Sequence, residues 1–287
     1  MKTGGGSKNE WFWNAVDFKP QRGSLEVQGA NVNFFSWSEE GPGLFFVHGH
    51  NAHAGWWDFI APSFKSQYKV VASDLSGMGD SDHRDAYNCA TYVEELVKVA
   101  EKNELGSETV IVAHSFGGML AIKAVAAFPE RFKGLILLDS GVKHPDDIRQ
   151  FDPPRLGRQK LYPSVDVAVS RFRLQPPQHC ENSFILNYIA RNSIEYLDDG
   201  FAWKFDDEHL QRMAPFEDLE EDFTNIKTKC ALIYGENSKS FSKKSAEHML
   251  GLLPTLKVRE LKDSQHHLFL DQPQKFIELL TETLSSW

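Results

Sequence analysis

The sequence predicts an α/β protein, a doubly wound and mostly parallel sheet with an inserted helical lid. Three observations lead there. Short, continuous apolar runs rich in β-branched residues recur along the chain, helical stretches separate the early ones, and one long interruption breaks the alternation late. Runs of that length suit strands covered on both faces, and strands alternating with helices build such a sheet.

After a polar, Gly-rich leader (residues 1–23), Ser24 to Gln28 and Asn31 to Trp37 alternate apolar and polar, as in a half-exposed hairpin. The continuous runs follow: Leu44–Val47, Tyr68–Ala72, Thr109–Ala113, Leu135–Leu138, Ala231–Tyr234 and Leu256–Leu261. Between them, Tyr92–Asn103 sets Tyr92, Val93, Leu96, Val97 and Val99 on a stripe opposite its charges, which predicts a surface helix. Met119–Phe128 is apolar nearly all round and reads as a buried helix. From Ser140 to about Asn225 the alternation stops. Pro145, Pro153, Pro154, Pro163, Pro176, Pro177 and Pro215 punctuate that stretch, with helical pieces such as Phe184–Tyr196. About eighty residues are too many for a loop between core strands. Residues 141–225 are therefore expected to form a helical lid over the carboxyl ends of the strands, where open α/β sheets bind ligands. Residues 24–140 and 226–287 are expected to form the core.

A formal net charge of −9 argues against a nucleic-acid partner, which needs clustered Lys and Arg. Cys89, Cys180 and Cys230 are odd in number and far apart, and read as thiols in a reducing compartment. No apolar h-region opens the chain and no run is long enough for a membrane span, so a cytoplasmic location is expected.

Three segments carry the residues that could do chemistry. Ala113-His114-Ser115-Phe116-Gly117-Gly118 lies directly between a strand and a helix. Small residues two before and two after the Ser make room for a sharp, strained turn, and the helix N-terminus behind it favours developing negative charge. His48-Gly49-His50 follows the strand at Leu44–Val47, and Gly49 lets the backbone approach a substrate closely. A zinc site from His48, His50 and His53 is the rival reading, but no carboxylate or Cys lies nearby to complete a tetrahedral set. The third segment runs from Asp263 to Pro273, with His266 and His267 just after the last strand. Imidazole titrates near neutrality, so either can take a Ser proton and return it to a leaving group.

Together these segments resemble the α/β-hydrolase superfamily, over about residues 25 to 285. Asp74-Leu75-Ser76-Gly77-Met78-Gly79-Asp80-Ser81 is similar to that family's D-x-x-G-x-G-x-S turn, which is structural in most members, and His266 to Pro273 to its H-x-x-x-x-D-Q-P ending. The resemblance implies Ser115 as nucleophile, with Ala113 a mild departure from the usual first Gly of G-x-S-x-G. It implies His266 as base rather than His267, which would then form a pocket wall. The backbone N–H groups of His50 and Phe116 would make the oxyanion hole. The third member is open: the family usually has an Asp about three residues past the Gly that follows its strand, and here Ser238 holds that place. Asp139, at the end of Leu135–Leu138, is preferred, and Glu236 is the alternative.

The function so implied is hydrolysis of a carboxylic ester through an acyl-enzyme. The substrate would be a small to medium apolar molecule, bound by aromatics such as Phe45, Trp56, Trp57, Phe116 and the stretch Phe201–Phe205. A carbon–carbon bond hydrolase and a non-catalytic ligand-binding protein of the same fold are the alternatives. No cofactor or metal is implied, and the chain is expected as a monomer or homodimer.

Overall fold

The computed structural model describes residues 9–147, 160–197, 199–216 and 219–287; Pro153 and Pro154 lie outside the described residues. Within the expected leader, Glu10–Asp17 forms helix α1, which buries Phe12 against Phe59, Phe184 and Tyr188. Strands β1 (Gln21–Val27) and β2 (Ala30–Ser36) pair antiparallel, so the hairpin begins earlier than its alternation suggests. Gln28 and Gly29 between them have φ of 48° and 76°, the positive pair that a tight two-residue hairpin turn requires.

Strands β3 (Gly43–Val47) and β4 (Lys69–Ser73) lead into helix α2 (Cys89–Lys102). The Asn88 side chain caps α2 by accepting from the Thr91 N–H at 2.9 Å, an arrangement that stabilises a helix by about 1 kcal/mol. Strand β5 (Val110–His114), helix α3 (Phe116–Ala127) and strand β6 (Gly134–Leu138) complete the first half. Between the halves come helices α4 (Val165–Arg171) and α5 (Ser183–Asn192), a hairpin of β7 (Ile194–Leu197) and β8 (Gly200–Trp203), and helices α6 (His209–Arg212) and α7 (Leu219–Thr224). Strand β9 (Lys229–Gly235), helix α8 (Lys243–Leu252), strand β10 (Lys257–Leu261) and helices α9 (Leu268–Asp271) and α10 (Pro273–Ser285) follow.

Eight strands form one sheet in the order β1-β2-β4-β3-β5-β6-β9-β10, parallel from β4 to β10. Both faces are covered, which is why β3 and β6 are apolar at every position and β5 is apolar up to its final His114. Phe45, Val47, Ile111, Ala113, Leu135 and Leu137 point to the layer holding α2, α3 and α8. Leu44, Phe46, Val110, Val112, Ile136 and Leu138 point to the layer holding α1 and α10. Burying each such side chain contributes about 1.5–3 kcal/mol.

Two expected elements differ. The run Leu256–Leu261, expected as a strand covered on both faces, forms the edge strand β10 with Lys257 and Arg259 exposed. The other is a helix that ends early. The helix read over Phe184–Tyr196 stops at Asn192, and Ile194–Leu197 turns into a strand of the small hairpin. The branched Ile194 and aromatic Tyr196 suit an extended strand, and Gly200 supplies the φ of 154° with which β8 begins. No helix among the described residues is long and apolar enough to cross a membrane.

Candidate active site

Register brings the site together. Leu138 of β6 pairs with His114 of β5 on one side and with Ile233 of β9 on the other, so β5 and β6 end level while β9 runs two residues further, to Gly235. The next residues, Ser115 and Asp139, both leave the sheet with positive φ, 51° and 47°. Such a backbone costs a non-glycine residue about 1–3 kcal/mol, and it persists only where the surroundings hold it. Here they do. The Ser115 N–H donates to Leu138 O at 3.1 Å and its carbonyl accepts from the Ser140 hydroxyl at 2.5 Å, while the Asp139 N–H donates to Ile233 O at 2.8 Å. Gly117 lets α3 start against β3, since a Cβ there would lie 2.3 Å from the His48 carbonyl oxygen.

His266, after β10, reaches back across the strand ends. Its Nδ1 is 2.6 Å from Asp139 Oδ2 and its Nε2 is 3.0 Å from Ser115 Oγ. The Asp139 carboxylate also accepts from Gly235 N–H at 2.9 Å and Ser238 Oγ at 2.7 Å. With an acceptor facing Nδ1, the imidazole proton sits there, and the Nε2 lone pair is left to accept from the Ser115 hydroxyl. His114 steadies this arrangement from behind, its ring Nε2 donating to the His266 carbonyl at 3.0 Å.

Glu236 does not reach His266. Its carboxylate is exposed, accepts from Lys262 Nζ at 2.9 Å and from the Asp263 N–H at 3.0 Å, and is held below the usual Glu range by those bonds. Nor is His267 among the described residues that line the two cavities at Ser115 and His50. It is 3% exposed and packs between Trp56 and His114, with Gln178 Oε1 accepting from its backbone N–H at 2.8 Å and lying 2.9 Å from its Nδ1. Burial holds its ring, like that of His114, neutral well below the ordinary His value.

The backbone N–H groups of His50 and Phe116 donate to no described residue. The three histidines of the first loop diverge. His48 Nε2 accepts from the Leu75 N–H at 3.0 Å, His53 caps a short helical turn through the Gly55 N–H at 3.1 Å, and His50 Nε2 meets His209 Nδ1 at 3.1 Å. Burial pushes His48 and His50 down to about 4 and His209 to about 3, so all three are neutral rings near pH 7. No group of three metal-ligating side chains occurs among the described residues. Asp74, in the glycine-rich turn, accepts from the Ala54 N–H at 2.6 Å and the Asp80 N–H at 2.9 Å, which ties that turn to the first loop.

Ser115 and His266 open onto a cavity of about 560 Å³, whose wall includes Gln175, Pro176, Pro177 and Leu210 of the insertion. A smaller recess of about 240 Å³ adjoins it at His50, lined by Trp56, Phe172, Trp203 and Phe205. Phe45 and Trp57, read from sequence as candidate substrate contacts, are instead fully buried in the two core layers, because each side chain points into the sheet packing. His209, 159 residues from His50, was invisible to sequence reasoning, since no local pattern marks such a partner.

A family model described as the alpha/beta hydrolase family matches residues 44–279. Epoxide hydrolase 4 of Mus musculus is 29% identical over 146 residues, which cover 48% of this chain and 40% of that protein's length. The pimeloyl-[acyl-carrier protein] methyl ester esterase of Aeromonas hydrophila is 23% identical over 252 residues, covering 84% of this chain and 94% of the relative. Among solved structures, the thioesterase domain from the curacin biosynthetic pathway aligns with a TM-score of 0.76 at 22% identity, over 91% of this chain and 99% of that one.

Proposed function

Because the chain belongs to the alpha/beta hydrolase family, we propose that it is a serine-dependent hydrolase of carboxylic esters, acting through an acyl-enzyme on a small to medium, largely apolar substrate. The observation that carries this reading is the hydrogen-bonded series Ser115–His266–Asp139 at the edge of an open cavity.

In the proposed cycle, Ser115 Oγ attacks the ester carbonyl carbon as its proton passes to His266 Nε2. Asp139 stabilises the resulting imidazolium through Nδ1, and the His50 and Phe116 amides receive the oxyanion. Collapse expels the alcohol, which takes the proton from Nε2. Water then attacks the acyl-enzyme, gives a proton to the same nitrogen, and releases the carboxylic acid with Ser115 restored.

The nucleophile's chemistry separates this reading from that of the epoxide hydrolase relative. Attack on an epoxide carbon by a serine would leave an ether, which water does not cleave, whereas a carboxylate nucleophile leaves a hydrolysable ester. The methyl ester esterase among the relatives is consistent with acyl chemistry. The insertion is read as a lid, supported by Gln175 and Leu210, which line the cavity together with Ser115 and His266. The test is fluorophosphonate labelling together with turnover of p-nitrophenyl esters of graded chain length. Both should occur in the native chain and vanish in Ser115→Ala, and labelling that persists in the variant would refute the assignment.

A further inference from the structure

His50 carries two separable functions on one residue, and its ring is tied into a relay that fixes where its proton sits. The relay starts at a backbone carbonyl. Tyr92 Oη lies 2.9 Å from Ser76 O and 2.6 Å from His209 Nε2. A carbonyl can only accept, so the single phenolic proton points at Ser76, since turning it away would set two acceptor oxygens face to face. Tyr92 Oη must then accept from His209, which places the His209 proton on Nε2. A neutral His209 keeps a lone pair on Nδ1, and the atom facing it is His50 Nε2, at 3.1 Å. That nitrogen therefore bears the His50 proton. His50 Nδ1 is left as a lone pair.

We propose that the His50 ring is a hydrogen-bond acceptor on the wall of the catalytic cavity, and that the preferred ester carries an O–H or N–H donor close to its scissile carbonyl. This rests on the hydrolase reading above for what occupies the cavity. The ring belongs to the residue whose backbone N–H is assigned to the oxyanion, so a group it binds lies within a few bonds of the reacting carbon. No described residue donates to His50 Nδ1, and His50 lies on the wall of the cavity that holds Ser115 and His266. The wall thus offers a ring acceptor to a substrate beside the backbone donors assigned to His50 and Phe116. The low proton affinity of both rings keeps the relay neutral at pH 7, so the acceptor is not lost to protonation. His209 and Tyr92 act as positioning residues. They come from the insertion and from α2, so docking of the insertion and the tautomer of His50 are coupled.

Two matched ester pairs test the substrate class: phenyl 3-hydroxybutanoate against phenyl 3-methylbutanoate, and the ethylene glycol monoester of butanoate against its propyl ester. The donor-bearing member of at least one pair should show kcat/KM higher by about fivefold or more, the equivalent of one net hydrogen bond. A smaller preference in both pairs overturns the proposal. In His209→Phe, which keeps an aromatic ring but removes the acceptor for His50 Nε2–H, the preference should shrink to within about twofold while the donor-less esters change less than about threefold. A preference that survives this substitution also counts against the relay. Should that variant fail to fold, long-range ¹H–¹⁵N correlation on the native protein at pH 7 decides. His50 and His209 should both appear as Nε2–H tautomers, and an Nδ1–H tautomer at either overturns the proposal. Fluorophosphonate labelling of the same sample keeps failure of the hydrolase reading distinct, since a labelled protein without the tautomers or the preference refutes only this inference.

Discussion

The Ser238 hydroxyl donates to Asp139 Oδ2 at 2.7 Å, the same oxygen that faces His266 Nδ1 at 2.6 Å. Ser238 stands on the loop after β9, where the family usually carries its acid, yet here the carboxylate comes from the end of β6. The two strands are neighbours, and β9 runs on to Gly235 beside Asp139, so the Ser238 hydroxyl reaches the carboxylate that faces the imidazole. Asp139→Asn should lower kcat by about a hundredfold or more, because an amide can present its N–H to Nδ1 and force the wrong tautomer. Ser238→Ala removes one of three donors to the carboxylate and should cost about tenfold or less, read by steady-state kinetics on the same ester.

Glu236→Gln should leave kcat within about tenfold of the native value, since its carboxylate is engaged by Lys262 and the Asp263 N–H, away from the imidazole. A loss as large as that of Asp139→Asn would mean that Glu236 acts on the base after all.

His266→Ala should remove nearly all turnover, whereas His267→Ala should retain a substantial part. The price of the second change is in packing, because His267 is enclosed by Trp56 and His114, and it should appear as a lower urea midpoint before it appears in kcat.

Gly117→Ala tests the close approach of α3 to β3. Its added methyl would meet the His48 carbonyl at 2.3 Å and Val47 Cγ1 at 2.8 Å, and a central strand has little room to yield. Denaturant unfolding should show a loss of about 1–3 kcal/mol, accompanied by a fall in kcat as Ser115 shifts.

His48 makes stability depend on pH. Its native value of about 4 lies below the 6.5 of the unfolded chain, so as pH falls below about 6.5 the unfolded state takes up the proton first. Its contribution is therefore complete above that pH and is lost progressively toward pH 4, at about 1.4 kcal/mol per pH unit. His48→Gln keeps an acceptor near the Leu75 N–H but does not titrate. The stability gap between native and variant chains should narrow by about 3 kcal/mol between pH 7 and pH 4 in urea unfolding. A gap that stays constant with pH would show that His48 is not the titrating group.

Legibility followed the range of the interactions. The strands at Leu44–Val47, Thr109–Ala113 and Leu135–Leu138 were readable because a strand covered on both faces must be apolar nearly throughout, a demand each of these runs meets by itself. The turn at Ser115 was readable for the same reason, since a sharp strand-to-helix turn needs small residues at fixed offsets, here Ala113 and Gly117. The helix over Phe184–Tyr196 was misread because apolar spacing persists into Ile194–Leu197, and only pairing with Gly200–Trp203 makes those residues a strand. Phe45 was misassigned to a pocket because the direction of a side chain across a sheet depends on register, which a single segment does not carry. Trp57, on a short helical turn, was misassigned because its packing against Phe46 and Phe269 joins distant segments.

The sequence by itself determined the doubly wound sheet, the position of Ser115 at a strand end, and a small set of carboxylates and imidazoles from which partners could come. Each of these depends on patterns within a few residues: two-faced burial, turn chemistry, motif spacing. Tertiary structure alone decided that Asp139 rather than Glu236 meets His266, that His267 is packed away, and that His50 is held by His209. Those outcomes depend on which strands lie side by side and how far each extends. Contacts spanning 96 to 159 residues are set by the register of the whole sheet and the docking of the insertion, and no local pattern encodes them.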